Sequence, residues 1–216
     1  MKSPFLNVSD EVFENARHLT SFQARKGFRL AYIHQYTHSD GSPWWWVLRL
    51  EGSESDPATG KKPKNIWPMR RTENGFELKR PEFGPEGAPL YGLHLLRNYP
   101  HDLVVVVEGE KCADHLVGPG FIAITWAGGA NAVDRTDWTP AARRRVALWP
   151  DNDESGFLAM DKVRDILRGL GAHVVTLDVA ALGLPPKGDC IDWMERVGGD
   201  PLSLPLVHSP EMAVAA

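Results

Sequence analysis

The chain has 216 residues, 43% hydrophobic and 24% charged, enough apolar material for one large domain or two small ones around a buried core. A formal net charge of −4 argues against binding nucleic acid through bulk positive charge, while leaving room for a basic strip beside a local acidic site. No run approaches the ~20 apolar residues of a membrane span. The opening Met1-Lys2-Ser3-Pro4-Phe5 lacks a signal-peptide core, so the expected setting is cytoplasmic, with no membrane partner. Cys112 and Cys190 form neither a disulfide framework nor a zinc cluster and are expected as small packing residues.

Residues 10 to 25 read as a helix opened by Asp10, with Val12, Phe13, Ala16 and Leu19 at helical spacing. A hairpin follows, from Phe28 to Thr37, through an Asp40-Gly41 turn, to Trp44–Glu51. Strict alternation sets Phe28, Leu30 and Tyr32 with Trp44, Trp46 and Leu48 on one buried face. It sends Trp45 to the other face, to stack a base or to pack an edge. Residues 52 to 64 are a loop by composition, and a second hairpin turns at Asn74-Gly75 between Asn65–Arg71 and Phe76–Lys79. The proline- and glycine-rich run 81 to 89 reads as a linker. The boundaries expected are therefore a β-rich subdomain over 1–88, an α/β domain over 89–200, and a tail over 201–216.

From Leu103 onward strands and helices alternate. Strand 103–107 leads into helix 110–117, stopped by Gly118-Pro119-Gly120. Strand 121–125 leads through the loop Ala127–Asn131, where Gly128 and Gly129 permit a positive-φ turn, to a short helix near 137–144. Strand 145–149 ends in Pro150-Asp151, helix 156–169 carries Phe157, Met160, Val163, Ile166, Leu167 and Leu170 on one face, and strand 173–178 follows. Such strands form a parallel sheet flanked by helices, whose ligands gather beyond the carboxyl ends of the strands. Glu108 follows the first of these strands and Asp151 and Asp153 follow the third, which brings three acids to one edge. Oxygen ligands of this kind suit Mg²⁺ or Mn²⁺, ions that handle phosphate groups. Asn152 tolerates the tight turn that aims both aspartates at one ion, and Gly156 lets the backbone leave that turn closely packed. Taken singly, each motif is also what a strand-to-helix turn or an N-cap looks like.

The run Val104-Val105-Val106-Val107-Glu108-Gly109-Glu110-Lys111, followed by Pro150-Asp151-Asn152-Asp153-Glu154-Ser155-Gly156, resembles the Toprim signature of primases, topoisomerases and some nucleases. The late Lys187-Gly188-Asp189-Cys190-Ile191-Asp192-Trp193 resembles the terminal acidic motif of the phage and plasmid primase-like members. The resemblance spans roughly residues 86 to 197. It implies an α/β Toprim fold with a central parallel sheet, preceded by a smaller β-rich subdomain. It implies a primase-like nucleotidyltransferase that makes short primers on single-stranded DNA from nucleoside triphosphates, with Mg²⁺ or Mn²⁺ held by Glu108, Asp151 and Asp153, and with Asp189 either joining that cluster or capping the final helix. A replicative helicase on a separate chain is the further partner implied. Glu108, Asp151 and Asp153 are then the catalytic set, and Lys111 is a candidate to steer phosphate. Lys61, Lys62, Lys64, Arg70 and Arg71 resemble the basic loop with which primases hold template or nucleotide; otherwise they are a solvated charged loop. Two departures stand out: no Cys/His zinc-binding cluster and no Walker-type phosphate loop. The sequence therefore reads as a catalytic core, stand-alone or part of something larger. A Toprim-type nuclease and a non-catalytic nucleic-acid-binding accessory are the alternatives, whereas a topoisomerase would need a tyrosine nucleophile in a recognisable catalytic domain.

Overall fold

Ser9 opens the first helix, its Oγ accepting from the Val12 N–H at the start of α1 (Asp10–Leu19). The expected single helix is broken at Thr20. The Thr20 hydroxyl donates to the Ala16 carbonyl at 2.7 Å, closing α1 before the single turn α2 (Ser21–Ala24). The structure is a computed structural model that describes residues 8–57 and 62–197. The expected tail 201–216 lies outside the described residues, as does Lys61. The chain divides into two units, Met1–Glu82 and Phe83–Ala216.

In the first unit, β1 (Phe28–Thr37), β2 (Pro43–Gly52), β3 (Lys64–Thr72) and β4 (Gly75–Glu77) pair in sequence order as an antiparallel meander. Register shifts between Leu30 and Tyr32 interrupt the alternation of β1. The extra residue exchanges the two faces of the strand beyond it. Ile33, rather than Tyr32, therefore joins Trp46, Leu48, Leu50, Met69, Val12 and Ala16 in the core of this unit. Trp44 stacks on His38 instead of entering that core. Trp45 is fully buried and stacks on Tyr36 at a centroid distance of 4.3 Å, so it presents no open face to a base.

In the second unit, α3 (Leu93–Asn98) precedes β5 (Val104–Val107), α4 (Glu110–Val117), β6 (Ile122–Ile124), β7 (Arg145–Trp149), α5 (Glu154–Gly169), β8 (His173–Thr176) and α6 (Cys190–Asp192). The four strands run parallel in the order β6-β5-β7-β8. Alternation along the strands sends residues to two cores. Val104, Val106, Val146 and Leu148 join Met160, Val163 and Leu167 of α5, while Val105, Val107, Ala147 and Trp149 join Cys112 and Leu116 of α4 and Ile191. Burying one Val or Leu side chain contributes about 1.5–3 kcal/mol. A sheet buried on both faces is therefore held by residues that look like an unbroken apolar run. The architecture is mixed α/β, a helix-flanked parallel sheet together with an antiparallel β-rich part.

Two local expectations change. The stretch expected to form a helix near 137–144 contains only a 3₁₀ turn, Thr139–Ala141, after an earlier one at Ala130–Arg135. The end of the expected linker belongs to the second unit's packing. The Ala88 N–H donates to the Arg135 carbonyl at 2.8 Å, and Ala88 and Leu90 are buried. Among the described residues, no helix is long and apolar enough to cross a membrane.

Candidate metal centre at the acidic edge

Pairing between β5 and β7 aligns Val107 with Trp149, so the residues that follow leave the sheet side by side. Glu108 Oε1 lies 3.5 Å from the Asp151 backbone N–H. Gly109, at φ +82°, turns the chain from the strand towards α4. Its N–H donates to Thr125 Oγ1 at 3.0 Å, a fully buried hydroxyl just past β6. Three neighbouring strands thus contribute to one turn, which the sequence does not reveal because Thr125 is far from Gly109 along the chain.

Gly156 seals the underside of the pair. A Cβ there would stand 2.6 Å from the Asp151 carbonyl oxygen and 2.7 Å from Glu108 Oε1. Only hydrogen fits, which lets the first turn of α5 press against both acidic residues. Asp153 is the N-cap of that helix: its Oδ1 accepts from the Gly156 N–H at 2.8 Å and from the Ser155 hydroxyl at 2.7 Å. The Asp153 N–H donates to the Asp151 carbonyl at 2.8 Å, which makes the tight turn between the two aspartates.

Asn152 does more than permit that turn. Its Nδ2 donates to the carbonyls of Leu184 and Pro185, at 2.8 and 3.1 Å. Its backbone N–H donates to the Gly188 carbonyl and its own carbonyl accepts from the Lys187 N–H, both at 2.8 Å. The 184–188 loop is thereby stitched to the acidic turn, and Asp189 follows directly. Asp189 forms a capping box with Asp192: its Oδ1 accepts from the Ile191 and Asp192 N–H groups, and Asp192 Oδ2 accepts from the Asp189 N–H. Behind this edge, hydrogen bonding to Cys190 and then burial push the Cys112 thiol well above its ordinary pKa. The two cysteines are buried and reduced, as packing residues.

Glu108, Asp151, Asp153 and Asp189 are half-buried, and Lys111 is half-buried on the first turn of α4. Among the described residues, no group of three or more His, Cys, Asp or Glu is arranged to hold a metal ion. Glu108 and Asp151 are nevertheless two half-buried acidic residues that follow neighbouring strand ends, and one oxygen of Asp153 is committed to its cap. Mg²⁺ is commonly bound by one or two carboxylates while keeping several waters and taking substrate phosphates, and this donor set fits such an ion.

The basic residues of the first unit divide. Lys62 and Lys64 are exposed. Arg70 pairs with Glu77 at 2.6 Å and Arg71 with Glu11 at 2.7 Å, so both guanidinium groups already face carboxylates of their own unit. Arg71 also lies over the Phe76 ring, 4.6 Å from its centroid. The pairing with Glu11 holds that carboxyl below the usual carboxylate range.

No protein-family model matches the chain, and no curated protein matches it. Among solved structures, it is similar to the zinc-binding and RNA polymerase domains of the Aquifex aeolicus primase. That likeness has a TM-score of 0.49 and 15% identity, over 88% of this chain and 47% of the other. A DNA primase domain from Pseudomonas aeruginosa is similar with a TM-score of 0.45 and 16% identity, over 78% of this chain and 47% of the other. The chain spans about half the length of these two.

Proposed function

We propose that the chain is a Toprim-type, primase-like nucleotidyltransferase acting on single-stranded DNA with nucleoside triphosphates. The observation that carries this reading is the meeting of Glu108 and Asp151 at the ends of neighbouring parallel strands, with a glycine required beneath them. An edge that gathers acidic residues repels incoming phosphate, and a cation bound there would offset that repulsion. Mg²⁺ or Mn²⁺ bound there would screen the charge of the triphosphate and polarise its α-phosphate. Glu108 and Asp151 are the primary ligands in this reading. Asp153 offers its remaining oxygen and Asp189 stands at the adjoining loop. Lys111, Lys62 and Lys64 are the cations proposed to hold phosphates, with Arg70 and Arg71 available only by exchanging their present carboxylate partners. A replicative helicase on another chain is the partner this reading brings with it, and a cytoplasmic setting follows from it.

The test is incubation of the protein with single-stranded DNA, labelled nucleotides and Mg²⁺ or Mn²⁺, with Asp151→Ala beside the wild type. Labelled products that lengthen with time in the wild type alone support the reading. Shortening of the DNA indicates instead a nuclease, in which the ion activates water. Binding of DNA without turnover under either metal leaves a non-catalytic accessory.

A further inference from the structure

We propose that Lys187 is a phosphate-contacting residue of the acidic edge, a role that rests on the nucleotidyltransferase reading above. Its placement comes from three features of the structure. The backbone N–H of Lys187 is held at 2.8 Å by the carbonyl of Asn152, the residue between Asp151 and Asp153. The Asn152 side chain fixes the same loop from the other end through Leu184 and Pro185. Lys187 itself is exposed and adopts φ +62°, one of only two non-glycine residues with positive φ among those described.

The last feature is the informative one. In the left-handed region a Cβ crowds the neighbouring carbonyl, so glycine is the residue that stability alone favours. Glycine is needed at the next position, where a Cβ at Gly188 would stand 2.8 Å from the Pro185 carbonyl oxygen. A strained side chain retained next to such a glycine, on a loop tied to the acidic turn, is the kind of backbone cost that persists at functional sites. The chemistry fits the need. An edge carrying Glu108, Asp151 and Asp153 repels a phosphate anion, and an ammonium group on a flexible stem, carried by a loop whose backbone is tied to Asn152, would attract it. The phosphate can belong to a free triphosphate or to a DNA strand.

Lys187→Gly relieves the backbone strain and removes the charge, while Lys187→Gln removes the charge and keeps a long side chain. ATP with Mg²⁺ is titrated calorimetrically, and fluorescein-labelled oligo(dT) by anisotropy over a range of salt. Both variants are expected to keep the wild-type Tm within about 2 °C or to raise it, while affinity falls by about tenfold in one arm. Loss confined to ATP assigns the triphosphate. Loss confined to oligo(dT), with a salt slope shallower by about 0.7 for one lost contact, assigns the strand. Lys187→Arg, which keeps the charge, is expected to restore most of the affinity. Unchanged affinity of both variants in both arms, while Asp151→Ala abolishes Mn²⁺ binding, overturns the role of Lys187 and leaves the site reading standing. Failure of the wild type to bind Mn²⁺, ATP or oligo(dT) overturns both.

Discussion

The smallest residue at the acidic edge is the least replaceable. Gly156→Ala places a methyl group 2.6 Å from the Asp151 carbonyl oxygen and 2.7 Å from Glu108 Oε1. The Glu108 carboxylate can swing aside, but the Asp151 carbonyl is backbone, so the turn must open. We expect a loss of about 1–3 kcal/mol in urea unfolding together with weakened Mn²⁺ binding, and retention of both wild-type values would show that the edge is looser than described. Glu108, Asp151 and Asp153 are legible in the sequence because strand-then-acid is a local pattern. The close packing of Gly156 was also expected there. What could not be read is Asn152 reaching Leu184 and Pro185, or Thr125 accepting from Gly109. Those contacts cross from one strand end to another, and sequence distance carries no trace of them.

At the scale of elements, Asp153 joins structure to function because one carboxylate is both the helix cap of α5 and a proposed ligand. The two roles separate by substitution. Asp153→Ala removes the cap and is expected to cost about 1 kcal/mol, whereas Asp153→Asn keeps the capping oxygen and most of the stability. Both are expected to lose metal-dependent activity, so activity retained by the asparagine variant would assign Asp153 to the cap alone. On α3, burial holds His94 below its ordinary pKa. Between that lowered value and the ordinary value of about 6.5, the unfolded chain binds more protons than the folded one. The contribution of His94 is therefore complete above about pH 6.5 and declines as the pH falls through that window. His94→Gln is expected to flatten this part of the stability profile, measured by urea midpoints across the pH range. Elements with strong periodicity or clear caps, such as α4 and β7, were legible as written. The exchange of faces in β1 was not, because a bulge is chosen by pairing with β2 rather than by the residues of β1. The helix expected near 137–144 gives way to 3₁₀ turns whose side chains pack instead: Trp138 is buried against Trp126, and its Nε1 donates to the Val133 carbonyl.

For the molecule as a whole, the parallel sheet of the second unit carries the residues of the proposed site, so its core and that site are coupled. Leu148 is fully buried on β7, the strand that delivers Asp151. Leu148→Ala is expected to cost about 2–5 kcal/mol in urea unfolding, and a smaller loss would mean that the sheet collapses around the cavity. The sequence by itself determined the alternation of apolar strands and helices, the parallel sheet it implies, and the acids that end two of its strands. These are properties of short segments, and backbone geometry translates them directly into strand, helix and turn. Only the tertiary structure decided which strands are neighbours, and so which acids meet. It also decided that Trp45 is buried, that Arg70 and Arg71 face carboxylates, and that the 184–188 loop is fastened to the acidic turn. Each of those outcomes depends on atoms brought within about 3 Å from distant parts of the chain, where hydrogen bonds and close packing are made.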